Sequence, residues 1–298
     1  APIDGSSFVQ EKALKFCKQQ ELQKAISKSQ KILDNGDFEN YDKLEELFRA
    51  AIQIGENNNK IEDVFNNLDD VLNEDFRHPI PMGISGIDKL LKGGLAKGEL
   101  GVVLAPTGVG KTTVLSKIAN SAFNNGYNVL QLFFEDNPKV IQRKHFTMWT
   151  GIAPDDLPNH REEVLEKARE VKEEMTNKLY LKKLPSDTHT MTQIKNMIRK
   201  MIADGHKLDM ILVDYIDCIV PDKNLGDEWK SEGSVMRGFE ALCHELNVVG
   251  WTATQGNRSS ISSEVVTTDQ MGGSIKKAQV GHVIISVAKT LQQKEMNL

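Results

Sequence analysis

Apolar residues recur at steps of three and four along the first part of the chain, which is the period of an amphipathic helix. The pattern runs from about Phe8 to Gly55, and Asn35-Gly36-Asp37 divides it into two predicted helices. The first is rich in lysine, which fits the solvated face of such a helix better than a nucleic-acid contact. Its apolar stripe requires a partner, and docking on a neighbouring subunit would supply one.

The region that follows is polar and then rich in proline. Asn57-Asn58-Asn59 interrupts the helical pattern, a short acidic helix is predicted around Ile61–Leu72, and Arg77-His78-Pro79-Ile80-Pro81 disfavours helix. We therefore predict a helical linker or subunit-docking region at residues 1–77 and a second domain at residues 78–298.

Beyond the linker, short runs rich in valine, isoleucine and leucine alternate with segments of helical period. The predicted strands are 100–105, 128–134, 178–184, 209–214, 248–254 and 282–288. Such alternation indicates a mostly parallel sheet with helices on both faces. The predicted fold class is α/β, preceded by the N-terminal α-helices.

The composition is that of a globular protein, with 39% hydrophobic and 27% charged residues, and no apolar run approaches the roughly 18–20 residues of a membrane span. The start of the chain has no secretory signal, so we expect a cytoplasmic protein. A net charge of −5 argues against nucleic acid coating the whole surface but permits a local basic groove. The three cysteines are far apart and the histidines lack a metal-binding spacing, so we expect any metal to arrive with a ligand.

One motif carries specific chemistry. The run Ala105-Pro106-Thr107-Gly108-Val109-Gly110-Lys111-Thr112 follows a predicted strand and opens a predicted helix, which is the context of a phosphate-binding loop. Ala105 stands where the general motif has glycine. Gly108 and Gly110 let the backbone turn so that its N–H groups point at phosphate oxygens, and the helix N-terminus adds a positive field.

This loop predicts the binding of ATP with Mg²⁺. Lys111 is expected to reach the β- and γ-phosphates, and the Thr112 hydroxyl to ligate the metal. The predicted nucleotide contacts are Ala105, Pro106, Thr107, Gly108, Val109, Gly110, Lys111, Thr112 and Thr113.

Hydrolysis also requires one carboxylate to hold Mg²⁺ and another to polarise a water molecule. Asp214 ends a predicted strand and is the expected metal ligand; Glu135 follows another strand and is the expected base, although the adjacent Asp136 could exchange roles with it. The alternative for an acidic residue after a strand is a helix N-cap. Gln255 ends a later strand, where its amide could bond the γ-phosphate or merely cap a loop.

In order and spacing, the phosphate loop, Glu135, Asp214-Tyr215 and Gln255-Gly256-Asn257-Arg258 resemble the RecA-like motor domain of DnaB-type hexameric replicative DNA helicases. Residues 80–88 resemble the segment that leads into that domain in the family. The resemblance covers roughly residues 78–290, and the preceding helices are similar to the linker helices of phage-encoded members.

The resemblance implies an ATP-dependent helicase that translocates on single-stranded DNA as a homo-hexameric ring, with ATP at subunit interfaces and DNA in a central channel. It also implies a primase and a helicase loader as partners. The loops corresponding to those that line the channel are about 221–228 and 258–273. The candidate DNA contacts are Lys223, Arg258, Gly273, Ser274 and Lys276. Ordinary surface cations are the alternative for the three charged residues.

Two departures from the family pattern affect these expectations. The second loop is rich in serine and poor in arginine, so we expect backbone donors near Gly273 and Ser274 to hold much of the DNA. The family's arginine finger, a Lys-x-Arg contributed by a neighbouring subunit, has no match before Leu298. We therefore expect the chain to be truncated, or weak as an ATPase alone.

Two alternative functions remain. A recombinase or clock-type RecA-fold ATPase would share the phosphate loop and the strand that ends in aspartate, and a helicase loader would bind ATP without unwinding DNA. Asp214-Tyr215, Gln255-Gly256-Asn257-Arg258 and the N-terminal helices favour the helicase.

Overall fold

The computed structural model describes residues 5–34, 44, 48, 64–65, 72, 77–222, 228–257, 267, 275–290 and 293. The chain divides into two compact units, Ala1–Glu74 and Asp75–Leu298.

In the first unit, helix α1 spans Gly5–Asp34. Ala25 and Ser29, four residues apart, are buried, whereas Phe16, Ile26 and Leu33 are exposed. Most of the two further helices predicted before residue 77 lies outside the described residues. Within the described part of the chain, no helix combines the length and apolar character that crossing a membrane requires.

In the second unit, six strands alternate with helices. The strands are β1 (Leu100–Ala105), β2 (Val129–Phe133), β3 (Leu179–Lys183), β4 (Met210–Asp214), β5 (Val249–Gln255) and β6 (Val283–Ser286). The helices are α2 (Ser85–Leu90), α3 (Lys111–Asn124), α4 (Pro138–Thr150), α5 (Arg161–Glu174), α6 (Met191–Ala203), α7 (Glu228–Leu246) and α8 (Ile275–Ala278). All six predicted strands are present, each within two residues at either end.

Helix α5 was not predicted from the sequence. Ten of its 14 residues are charged, and Val171 is its one buried position. A helix that buries so little has almost no apolar stripe, so the hydrophobic pattern could not reveal it.

The sheet has the strand order β3-β2-β4-β5-β1-β6. Every neighbouring pair of strands is parallel. The predicted parallel α/β sheet is therefore confirmed. Parallel pairing places all the carboxyl ends of the strands at one edge, so the segments that follow β1, β2, β4 and β5 lie near one another.

Helices cover both faces of this sheet. In β4, Ile211 and Val213 pack in one buried cluster with residues of α6 and α7, while Met210 and Leu212 pack in a second cluster with residues of α3. Because successive side chains of a strand point to opposite faces, a strand buried on both sides reads as a continuous apolar run. This explains why β4 was easily predicted.

A close approach within the sheet accounts for Gly101. It pairs in register with Trp251 of β5, and a Cβ atom at this position would overlap the indole ring. The fully buried Trp251 therefore requires glycine on the neighbouring strand.

Candidate functional site

Four functional segments follow one another along the carboxyl edge of the sheet. The central strand order β2-β4-β5-β1 places Glu135, Asp214, Gln255 and the phosphate loop in that spatial order. Asp214 pairs with Phe133, and Gln255 pairs with Ala105. Residues separated by up to 150 positions in the sequence thus meet because of the strand order.

The phosphate loop connects β1 to α3. Gly108 and Gly110 have φ angles of +77° and +103°, which L side chains rarely adopt. Gly110 is also the N-cap of α3, and no side chain bonds to the free N–H groups there. Free N–H donors at a helix N-terminus, together with the helix dipole, are the arrangement that favours anions such as phosphate.

Asp214 is the buried carboxylate of the site, with 6% of its surface exposed. Burial raises its pKa to about 6, and the charges of Asp136 and Glu135 act in the same direction. A hydrogen bond from the Thr112 side chain and the charge of Lys111 oppose this rise in pKa. A carboxylate held at such a cost, next to a threonine hydroxyl, is typical of a functional site.

Lys111 lies within this cluster. Burial lowers the pKa of its ammonium group, and the charges of Asp214, Asp217 and Glu135 offset part of that decrease. Its Nζ lies 5.6 Å from the centroid of the Tyr215 ring. Burial has removed water from around this ammonium group. A bound polyanion would stabilise its charged form by replacing the lost interactions with water.

Glu135 is an exposed residue two positions after β2. Its Oε1 accepts a hydrogen bond of 3.1 Å from the Tyr215 hydroxyl, and its carbonyl oxygen accepts one of 3.1 Å from Lys183 Nζ. Two residues later, the Asn137 side chain caps α4 by accepting from Lys139 N. The strand end and the helix cap together fix the turn that carries Glu135.

Gln255 reaches the phosphate loop directly, because its Nε2 donates a hydrogen bond of 2.6 Å to Thr107 Oγ1. On the other side of the loop, Lys144 of α4 donates a hydrogen bond of 3.1 Å to Thr113 Oγ1. Gln255, a predicted site residue, thus contacts the phosphate loop. Lys144 is a second lysine, besides Lys111, that lies at the start of α3.

The oxygen ligands at this edge suit magnesium. In the described part of the chain, no three histidine, cysteine, aspartate or glutamate side chains form a group that could hold a metal. Mg²⁺ needs no such group, since it keeps several waters and takes its other ligands from one or two protein oxygens and the phosphates. The Thr112 hydroxyl and the Asp214 carboxylate offer hard oxygen atoms that could hold Mg²⁺ in this way.

The predicted DNA contacts are not placed by the structure. Lys223, Arg258, Gly273 and Ser274 lie outside the described residues, and so does the side chain of Lys276, although its backbone belongs to α8. These assignments stay predictions.

Three residues at this edge were not identified as site residues from the sequence. Tyr215 was noticed only as part of a pair with Asp214, although it contacts both Glu135 and Lys111. Asp217 and Lys277 form an ion pair close to Gln255. Lys276 and Lys277 are adjacent in the sequence, and nothing in the sequence indicates which of the two side chains is buried.

The chain matches a family model described as the DnaB-like helicase C terminal domain over residues 79–265. It is 26% identical to the DnaB-like replicative helicase of Enterobacteria phage T4 over 204 residues, which are 64% of this chain and 42% of that protein. The chain thus spans less than half of that relative. It is also 24% identical over 209 residues to the DNA repair and recombination protein RadB of Methanosphaera stadtmanae, covering 70% of this chain and 80% of that protein.

Two solved structures share the fold. One is described as the structure of a DnaB-like replicative helicase and its interactions with primase; it has a TM-score of 0.74 and 14% identity, covering 93% of this chain and 67% of the other. The second, described as an ATPase domain, has a TM-score of 0.64 and 16% identity, covering 74% of this chain and 80% of the other. The RecA-like fold expected from the sequence is confirmed.

Proposed function

The chain belongs to the family of the DnaB-like helicase C terminal domain, and on this premise we propose that it hydrolyses ATP as the motor of a replicative DNA helicase. The observation that supports this best is the arrangement of the carboxyl edge, where Lys111, Asp214, Glu135 and Gln255 meet around a phosphate loop. Each has a distinct part in the proposed reaction.

The phosphate loop and Lys111 bind and orient the nucleotide. The backbone N–H groups at the start of α3 hold phosphate oxygens, and the Lys111 ammonium group approaches the β- and γ-phosphates. Magnesium bound by Thr112 and Asp214 would neutralise the charge that develops on the phosphate oxygens. The raised pKa of Asp214, about 6, still leaves its carboxylate ionised near neutral pH.

Glu135 accepts the proton of the attacking water. Its carboxylate is exposed at the mouth of the site, where a water molecule can reach it. The Tyr215 hydroxyl orients that carboxylate through the 3.1 Å hydrogen bond. The amide of Gln255, which donates a hydrogen bond to Thr107 of the phosphate loop, would bond the γ-phosphate and respond to its loss.

We further propose the assembly that the family resemblance implies. The chain acts in a homo-hexameric ring with ATP between subunits, and single-stranded DNA passes through the centre. A primase is among its partners, by analogy with the related solved helicase that is described with its primase interactions. A helicase loader and a cytoplasmic location, in a bacterial host if the gene is carried by a phage, complete this proposal.

A second candidate rests on the similarity to RadB. A RecA-fold ATPase of DNA repair and recombination would use the same phosphate loop and Asp214 but would not separate a duplex by translocation. The family match over more than half of the chain favours the helicase.

The test compares ATP hydrolysis with and without single-stranded DNA, followed by unwinding of a forked duplex and measurement of oligomeric mass with ATP. The helicase predicts stimulation by DNA, unwinding and a six-fold mass. Stimulation with strand exchange and no unwinding would favour the recombinase, and binding of ATP without turnover would favour a loader.

A further inference from the structure

A buried ion pair lies next to the proposed ATP site. Lys277 of α8 has only 2% of its side chain exposed, and its Nζ is paired with Asp217 Oδ1. Asp217 belongs to the short 3₁₀ helix Ile216–Cys218 that follows β4 and Tyr215. A lysine so deeply buried is rare, and it must be paired to stay charged.

The same carboxylate also holds the end of β5. Asp217 Oδ2 accepts a hydrogen bond of 3.1 Å from Thr254 Oγ1 and one of 3.3 Å from the backbone N–H of Gln255. One aspartate therefore joins three segments of the chain: the turn after β4, the end of β5, and α8.

The chain of contacts continues into the phosphate loop. Gln255, whose backbone is held by Asp217, donates from its side chain to Thr107. Asp217 also acts on Lys111, because its negative charge favours the charged form of that ammonium group and raises its pKa against the larger effect of burial. Because the positive charge of Lys277 lies beside Asp217, removing both partners together changes the field at Lys111 little, and the pair acts on the site mainly through Gln255.

A purely structural role would not require charges here. Replacing a buried ion pair by apolar side chains of similar volume is often neutral or stabilising, whereas removing one partner leaves an unpaired buried charge. The carboxylate of Asp217 instead accepts a hydrogen bond from the backbone of Gln255, and Lys277 holds that carboxylate in place through the ion pair.

We propose that the Asp217–Lys277 ion pair is a positioning device that orients Gln255 toward the γ-phosphate of bound ATP. This inference rests on the proposed function, since it assigns Asp217 and Lys277 as positioning residues of that site. It predicts that loss of the pair impairs recognition of the third phosphate while recognition of the first two is retained.

The experiment measures the affinities of the full chain for Mg²⁺-bound fluorescent ADP and for the matching non-hydrolysable triphosphate analogue. The test variant combines Asp217→Leu with Lys277→Met, so that no unpaired charge remains. We expect the preference for triphosphate over diphosphate to fall about 10-fold, the value of a lost hydrogen bond to a charged group, with affinity for ADP changed less than about 2-fold.

Two further comparisons separate positioning from general damage. Gln255→Ala should lower the preference equally, and adding the double substitution to Gln255→Ala should lower it no further, because both act through one contact. The matched control removes another ion pair, that of Arg199 with Glu245, through Arg199→Met and Glu245→Leu. This control should keep the wild-type preference.

The outcomes are distinct. An unchanged preference in the folded double variant, or an equal loss of affinity for both nucleotides, would overturn the inference. If the double variant does not fold, Thr254→Val, which removes the hydroxyl that bonds both carboxylate oxygens of Asp217 and keeps the shape, should lower the preference about 3-fold, and no change would overturn the inference. A wild-type chain that binds neither nucleotide would overturn the proposed function as well.

Discussion

Two groups of polar side chains adjoin helix α3, and their buried members differ in how the free-energy cost of burial is offset. The carboxyl-edge cluster consists of Lys111, Glu135, Asp214, Asp217 and Gln255. It concentrates ionisable groups, and burial displaces the pKa values of Lys111 and Asp214 from their ordinary values. The second group, which we name the histidine network, is neutral and consists of Ser116, Asn120, Asn124, Gln131, His145 and Trp149.

The histidine network is a chain of donors and acceptors that satisfy one another. Trp149 donates to Asn124, Asn124 to Asn120, and Asn120 to His145 Nδ1. In the tautomer that carries its proton on Nε2, His145 donates to Gln131, and Gln131 donates to Ser116. Five bonds of 3.1–3.4 Å thus run in one direction from α4 to β2 and α3.

The difference predicts which group serves stability and which serves chemistry. A satisfied neutral network specifies packing at little cost, whereas a buried carboxylate with a raised pKa costs stability and persists where function needs it. Substitutions of Asp214 and Glu135 should therefore strongly lower activity while preserving or raising stability. Substitutions in the histidine network should lower stability and preserve activity.

The largest expected effect is that of Asp214→Asn. Without a carboxylate to hold Mg²⁺, ATP turnover should fall about 1000-fold. The folded-state pKa of Asp214, about 6, lies above the ordinary 3.8, so its contribution to stability falls as pH rises between these values. In metal-free buffer at pH 8, Asp214→Asn should raise the free energy of unfolding in urea by up to about 3 kcal/mol.

Asp209→Asn is the matched control for that substitution. Asp209 lies just before the other end of β4 and accepts hydrogen bonds from Lys97 Nζ and Asn128 N. This variant should lose stability and keep turnover. If Asp214→Asn were destabilised like the control, its carboxylate would be serving the fold.

The next effect in size is that of Glu135→Gln. Loss of the base should lower kcat about 100-fold, with affinity for ATP nearly unchanged. Asp136→Asn is the control and should change kcat less than about 3-fold. If Asp136→Asn lowered kcat about 100-fold and Glu135→Gln left it nearly unchanged, the base would be Asp136. Single-turnover hydrolysis and equilibrium nucleotide binding measure both quantities.

The histidine network predicts a dependence of stability on pH. Burial lowers the pKa of His145 to about 4 from 6.5, so the fold requires neutral imidazole and loses stability as pH falls through this window. Between pH 7 and pH 4.5, His145 should account for about 2.5 kcal/mol of lost unfolding free energy. Urea unfolding of the wild-type protein and of His145→Gln, each at pH 7 and at pH 4.5, measures this loss.

The comparison of those two proteins isolates the histidine from other titrating groups. His145→Gln should be less stable at pH 7 but lose less stability on acidification. Equal losses of stability in the two proteins would show that His145 is not the group that titrates. A fall in ATP turnover of His145→Gln at pH 7 would show that the histidine network also serves catalysis.

The smallest expected effect is that of Tyr215→Phe. This substitution removes the hydrogen bond to Glu135 and keeps the ring beside Lys111. We expect kcat to fall about 5-fold with little change in KM, since one oriented hydrogen bond is lost. A change confined to KM would instead place the hydroxyl in nucleotide binding.

The fold was largely predictable because its central strands are buried on both faces. All five side chains of Met210–Asp214 are buried, and the four that precede Asp214 form the apolar run that identifies the strand. Helix α5 shows the limit of this signal, since it buries only Val171. No local sequence pattern predicts the order of the strands in the sheet.

The candidate site was predictable where chemistry restricts local sequence. A loop that turns through Gly108 and Gly110 before Lys111 leaves a readable motif. Asp217 and Lys277 left none, because their pairing joins positions 60 residues apart through the packing of α8. A sequence can show that a lysine is present, but only packing decides whether it faces solvent or an aspartate.

The most direct measurement is the rate of ATP hydrolysis, with Mg²⁺ and saturating single-stranded DNA, by Lys111→Ala beside Lys117→Ala. Lys117 is an exposed lysine on the same helix. A phosphate-binding site at the carboxyl edge predicts a loss of at least about 100-fold for Lys111→Ala and a wild-type rate for Lys117→Ala. Turnover that survives Lys111→Ala unchanged would contradict the assignment of this edge as the ATP site.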